Sequence, residues 1–266
     1  MRITTDLLPS SDASANPRHW EQRDARADTV VVIDVCRATT VATTAIGNGA
    51  KRILTVRDVP AARKLSKQLR SESKSRVLLC GERLCQRIEG FDLGNSPADY
   101  ERLVVEGQSI VLCTSNGTRA IELASQPPRM LLASFQNLSI TIEHLYRTTR
   151  NLHLVCAGTE GEVTGEDTLL AGLIIERLEK RLPLEIDDAS AIARQWWRSH
   201  FGDVINPGPK MLTEVILRTR GGENVARRGF AEDLQKCSSI DSKPVLVARR
   251  NRQPAEFHAV SPLSEA

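Results

Sequence analysis

Residues 29–46 read TVVVIDVCRATTVATTAI. Thr29 to Ile33 is an almost unbroken β-branched run, and Asp34 ends it. Such a run, without polar alternation, is a strand buried on both faces. Residues 38–46 follow as a helix, closed by Gly47 to Gly49. Its threonines lower helix propensity, yet the strand–loop–helix pattern still fits. A strand buried on both faces needs helices over each of them, which points to an α/β fold.

The same unit recurs along the chain. Strands are predicted at 52–56, 77–80, 109–113, 130–134 and 152–156, with helices at 60–70, 117–124, 138–148 and 167–181. A short strand at 2–8 and a short helix at 100–105 complete this part. The alternation predicts a mixed or largely parallel sheet covered on both faces. Beyond Pro183 the pattern changes to helices at 188–201 and 210–218, then strands at 245–248 and 257–260. The expected organisation is a core over residues 1–183 carrying most site motifs, and a smaller C-terminal lobe or extension over 184–266. Residues 9–28 read as a polar loop or ragged helix anchored by Trp20. The group Arg218, Arg220, Arg227 and Arg228 reads as a solvated face.

The 36 basic and 33 acidic residues leave a formal net charge of +3 in 266 residues. This balance argues against nucleic acid and leaves small anions, gripped by local arginines, as partners. The N-terminal MRITTDLLPS has no apolar signal core, and the apolar runs are too short to span a bilayer. No membrane partner is expected. Six cysteines without CxxC spacing read as free thiols in a reducing compartment, which points to the cytoplasm. A homo-oligomer is left open.

Ligands of α/β sheets gather beyond the carboxyl ends of the strands. Five polar clusters fall there. Asp34 and Arg37, with Thr39 and Thr40, offer a metal ligand and an anion fork, the competing reading being a helix cap. Gly81, Glu82 and Arg83 offer a hard-cation ligand and a phosphoryl contact, or else an internal ion pair. Asp92, Gly94, Asn95 and Ser96 form a glycine-rich loop that either meets a ligand or holds its own turn. Thr114 to Arg119, including Asn116, Gly117 and Thr118, place small polar residues at a helix start, suited to an anion or to an ordinary cap. Gly158 to Gly161 lead to Glu166 and Asp167, the latter read equally as a cap of its helix. Together they describe an acidic, arginine-rich rim. Its oxygen donors favour Mg²⁺ over zinc, and its arginines favour phosphate.

Several familiar sites are absent. There is no GxGxxG after the first buried strand, no GxxxxGK[ST], no GxSxG and no HExxH. Cys36 stands where an aspartyl-phosphate phosphatase carries its second Asp. Cys113 and Arg119 do have the C-x5-R spacing of cysteine phosphatases, although Leu112 stands in place of the usual histidine.

In order, VVVIDVCRATT, GER, GFDLGNSP, NGTRA, CAGTEG with EDTLLAG, and RRGFAEDLQKCSSID cover about residues 29–241. This series resembles the 2-phosphosulfolactate phosphatase family of the ComB type. The resemblance implies an α/β, ComB-like strand–helix architecture and Mg²⁺-dependent hydrolysis of 2-phospho-3-sulfolactate to 3-sulfolactate and phosphate. By motif it carries over Asp34, Arg37, Glu82, Arg83, Asp92, Asn95, Asn116, Thr118, Arg119, Glu166 and Asp167 as site residues, and within the site our own assignment of roles makes Asp34, Glu82 and Glu166 the metal ligands. Arg37, Arg83, Asn95, Asn116, Gly117, Thr118 and Arg119 would bind substrate. Asp34, Asp92 and Asp167 would act in catalysis. Cys36, Leu84, Cys85, Ser115 and Gly165 depart from the family pattern and leave the substrate less defined than the reaction class. The alternatives are a phosphatase for another small phosphorylated hydroxyacid and a non-catalytic anion-binding protein.

Overall fold

The computed structural model describes residues 1–9, 28–72 and 76–261, so Trp20 lies outside the described residues. Strand β2 (Thr29–Ile33) is buried along its whole length. Val30 and Val32 enter one core cluster, while Val31 and Ile33 enter another on the opposite face. This is the period-2 consequence of a strand covered on both sides.

Eleven strands among the described residues form one sheet, ordered β5-β4-β6-β3-β11-β10-β7-β2-β8-β1-β9. The remaining strands are β1 (Arg2–Asp6), β3 (Arg52–Thr55), β4 (Val77–Arg83), β5 (Gln86–Arg87), β6 (Ser109–Cys113), β7 (Arg129–Ala133), β8 (Asn151–Cys156), β9 (Glu185–Ile186), β10 (Leu246–Arg252) and β11 (Ala255–Val260). Two parallel blocks are present. One is β4-β6-β3 and the other β7-β2-β8-β1-β9. The C-terminal hairpin β10–β11 joins them antiparallel, with β11 on β3 and β10 on β7. The expected alternation and mixed sheet are therefore present. The segment beyond residue 183, read from sequence as a lobe or extension, contributes two strands to the middle of this sheet.

The helix Ala38–Gly47 explains how distant strands meet. It is buried at every position from Ala38 to Ile46, and it touches β3, β7, β10 and β11. A helix buried all round has no polar face to keep. Its hydroxyls must then find internal acceptors. Thr43 Oγ1 donates to Thr39 O, Thr44 Oγ1 to Thr40 O, and Thr40 Oγ1 to Val35 O, each at 2.8 Å. Satisfied this way, threonine avoids the cost of an unpaired buried hydroxyl. β4 and β2 stand six strand spacings apart in the order, about 29 Å in a flat sheet. Leu78 and Cys80 of β4 nevertheless share one core with Val30 and Val32 of β2. The sheet therefore curves round this helix, and the loops beyond β2 and β4 converge.

The other faces are covered conventionally. Helices Leu138–Thr148, Gly165–Glu179, Asp188–Phe201 and Pro209–Leu217 pack with Val31, Ile33, Leu131 and Leu154. Helix Val59–Glu72 covers Leu54, Val77, Leu79 and Val111.

Candidate active site

A small cavity of about 40 Å³ opens where the loops after β2, β4 and β8 meet. Asp34, Arg37, Glu82, Asn95 and Asn116 line it. Gly221, Asn224 and Val225 close it from helix Arg220–Val225. A larger apolar groove of about 630 Å³, lined by Leu7, Val163, Ile192 and Trp196, carries no ionisable side chain, which suits it poorly to a multiply charged anion.

Asp34 caps the central helix and also faces the cavity. Its Oδ1 accepts the Ala38 N–H at 3.0 Å, satisfying the start of the central helix, while the residue also lines the cavity. Its backbone is clamped by Thr39, whose Oγ1 donates to Asp34 O at 2.8 Å. Its Oδ2 accepts no hydrogen bond among the described residues. A Cβ built on Gly117 would lie 2.7 Å from that oxygen and 2.6 Å from Ala38 Cβ. Glycine at 117 is therefore required by the close approach of Asp34. Burial pushes the Asp34 carboxyl up to about 7; the Ala38 hydrogen bond opposes this, and Glu82 and Glu166 add repulsion.

Glu82 spends its oxygens on two loops. Oε2 accepts Cys85 N at 2.9 Å and Oε1 accepts Ser115 N at 2.8 Å. Asp167 acts similarly, accepting Val35 N at 2.8 Å and Gly158 N at 3.0 Å. It thereby ties the loop after β2 to the loop after β8. Burial, then repulsion from Glu166 and Asp34, holds its carboxyl well above the usual range. Glu166 is 1% exposed, and its Oε2 has no partner among the described residues. Burial raises its carboxyl against a lowering hydrogen bond from Thr219. Gly221 packs directly on it: a Cβ there would meet Glu166 Oε1 at 1.7 Å.

Other expected residues lie elsewhere. Glu82 and Arg83 are neighbours on one strand, so their side chains leave opposite faces. Arg83 Nη2 donates to Arg57 O at 2.9 Å and to Cys113 Sγ at 3.3 Å, away from the cavity. Asp92 Oδ2 accepts Leu79 N and Arg70 Nη2, both at 2.7 Å, and holds its own loop. Thr118 lines a separate groove of about 280 Å³, and its N–H donates to Thr114 Oγ1 at 3.2 Å. With Ser115 N already on Glu82, the loop before helix Gly117–Leu123 has fewer N–H groups free for an anion than its sequence suggests. Arg119 is half-buried and makes no hydrogen bond or ion pair with other described residues. Asn95 lines the cavity with a buried Oδ1 that has no partner among them.

The model of the family described as 2-phosphosulpholactate phosphatase matches residues 15–252. The chain belongs to the 2-phosphosulfolactate phosphatase family. A relative from Caldanaerobacter subterraneus subsp. tengcongensis, named "Probable 2-phosphosulfolactate phosphatase", is 35% identical over 229 residues, covering 86% of this chain and 90% of the relative. Relatives of the same name from Thermotoga petrophila and Clostridium perfringens are 37% and 36% identical, covering 80% and 79% of this chain and 85% and 81% of their own lengths. Membership makes this chain an enzyme of the phosphatase class, a hydrolase.

In this phosphatase the C-x5-R spacing does not build a thiol nucleophile. Cys113 sits in the cluster under helix Val59–Glu72, and its Sγ lies 3.4 Å from Arg57 O. Burial raises its thiol despite the opposing Arg83 guanidinium, whereas a reactive cysteine needs a lowered pKa. Sequence reasoning also missed part of the cavity wall. Gly221, Asn224 and Val225 border the arginine group read as a solvated face, although the motif RRGFAEDLQKC just beyond them was a signal. No helix among the described residues is long and apolar enough to cross a membrane.

Proposed function

We propose that this phosphatase hydrolyses 2-phospho-3-sulfolactate to 3-sulfolactate and phosphate with Mg²⁺. The observation that carries the reading is a cluster of buried, mutually repelling carboxylates, Asp34, Glu166 and Asp167, of which Asp34 lines a cavity together with Arg37.

The donors match a hard cation in kind. No three His, Cys, Asp or Glu side chains among the described residues stand ready-made as a metal group. Glu166 Oε2 nonetheless has no hydrogen-bond partner among the described residues, and there the Asp34 carboxylate accepts the Ala38 N–H through Oδ1 alone; carboxylate oxygen suits Mg²⁺. Asp34 and Glu166 would hold the ion, with Glu82 beside them. When bound, Mg²⁺ supplies charge neutralisation at the phosphoryl group and a more acidic water. Before it binds, burial keeps the Asp34 carboxyl titrating near 7.

The chain's own groups do the rest. Arg37 lines the cavity and grips an anionic group of the substrate. Arg119, half-buried and unpaired among the described residues, supplies a second cation. Glu82 and Asp167 spend their oxygens on backbone N–H groups and keep four loops in register. Such preorganisation lets charged contacts act without rearrangement as the reaction proceeds. Water is the nucleophile, since the cavity holds no activated thiol. The free thiols support a reducing compartment, the cytoplasm, for the reaction.

The test is phosphate release from racemic 2-phospho-3-sulfolactate, beside phospholactate and phosphoglycerate, with Mg²⁺ or EDTA. Release from the sulfonate that EDTA abolishes is expected. Release from the other hydroxyacid phosphates alone would retire the substrate and keep the reaction class. No release from any would contradict the reading.

A further inference from the structure

Arg37 is held from three sides by residues far along the chain. Nη1 donates to Asp233 Oδ2 at 2.7 Å, and Nη2 to the Cys85 carbonyl at 2.9 Å. The Phe230 ring lies 4.5 Å from the guanidinium carbon. Asp233 Oδ1 in turn accepts the Ser96 hydroxyl at 2.6 Å. Arg37 and Asp233 are 2% and 3% exposed.

Burying two charges carries a desolvation penalty that their attraction offsets only partly, and apolar replacements are often at least as stable. Stability alone therefore gives weak reason for this pair. A reason in placement is stronger. A guanidinium has five N–H donors in a fixed planar fork. With two directions fixed by Asp233 and Cys85, the rest of the fork has a defined orientation in the cavity that Arg37 lines. Asp233 sits at the start of helix Asp233–Cys237, which follows the helix carrying Gly221 and Asn224. The ion pair thus ties the C-terminal wall to the loop after β2.

We propose that Asp233, braced by Ser96, is a positioning residue that aims Arg37 at the substrate anion. This rests on reading the cavity as an anion site. Two opposed effects are separable. As a nearby negative charge, Asp233 weakens anion binding; as a clamp, it strengthens binding by fixing geometry. The clamp dominates.

The experiment compares wild type, Asp233→Asn and Ser96→Ala by thermal midpoint, by kcat and KM for 2-phospho-3-sulfolactate, and by calorimetric Kd for inorganic phosphate. Asp233→Asn should raise KM and the phosphate Kd by about tenfold to a hundredfold, with a smaller change in kcat. Ser96→Ala leaves the ion pair in place and should raise both by about threefold without loss of folding. An unchanged or lowered KM and Kd in folded Asp233→Asn would overturn the proposal. If that variant does not fold, unchanged values in Ser96→Ala would do so. A wild type that binds phosphate without hydrolysing the sulfonate retires the substrate, while the Kd comparison still decides the role of Asp233. A wild type that binds no phosphate overturns both.

Discussion

Helix Gly165–Glu179 carries acids at both ends, and the ends differ in kind. Glu166 and Asp167 lie in its first turn, Glu176 and Glu179 near its last. The helix dipole favours acids at the start and disfavours them at the end. The disfavoured end is matched with cations: Arg198 pairs with Glu176 and, at 3.1 Å, with Glu179, and Arg194 also pairs with Glu179. The favoured end has no arginine. Glu166 and Asp167 instead face Asp34, and burial raises all three carboxyls. Glu176 is as buried as Asp167, at 2% exposure. Burial therefore does not separate the two ends here, whereas the presence of an arginine partner does.

The largest effect should come from the unpartnered end. Asp34→Asn should lower kcat/KM by about a thousandfold, while the thermal midpoint holds or rises because a repelled buried charge is gone. Steady-state kinetics and a melting curve check both, and a loss under tenfold would break the comparison. Next is Gly221→Ala, which drives a methyl into Glu166 and should reduce kcat/KM by about a hundredfold. Activity near wild type would mean that the Glu166 carboxyl is free to move without consequence.

At the partnered end the sign of the result changes. Glu176→Gln should lower stability by about 1–2 kcal/mol in denaturant unfolding and leave kcat/KM of the folded enzyme unaltered. A large kinetic loss would erase the distinction between the two ends. A pH series sharpens it. The folded Asp34 carboxyl titrates near 7, against an ordinary 3.8, so between those values the folded state binds more protons than the unfolded. Stability then falls as pH rises through that window. In EDTA the thermal midpoint should be lower at pH 8 than at pH 6, and Asp34→Asn should reduce the difference. A rise with pH would contradict the assignment. The smallest effect is expected at Asp92, whose exposed pair with Arg70 is a surface contact. Asp92→Asn should change stability by about 1 kcal/mol or less, with kcat/KM close to wild type. A tenfold kinetic loss would bring Asp92 back into the site.

Local pattern made most elements legible. The helices at 138–148 and 188–201 and the strand at 109–113 carry clear signals of period and length, and they form where expected. The insertion of β10 and β11 between β3 and β7 was not legible, because antiparallel pairing across 200 residues of separation leaves no local trace. Asp34, Arg37, Glu82, Asn95 and Asn116 converge as their motifs suggested. Arg83 illustrates a signal present but unused: adjacent strand residues cannot both face one cavity. Asp233 illustrates a signal absent from local sequence, since its partner Arg37 lies 196 residues away.

Calorimetric titration of Mg²⁺ into EDTA-stripped, dialysed enzyme at pH 7 tests the central claim most directly. Two buffers of different ionisation heat would reveal any released protons. The account predicts saturable binding with proton release, lost in Asp34→Asn and retained in Glu176→Gln. No binding, or binding indifferent to Asp34→Asn, would contradict it.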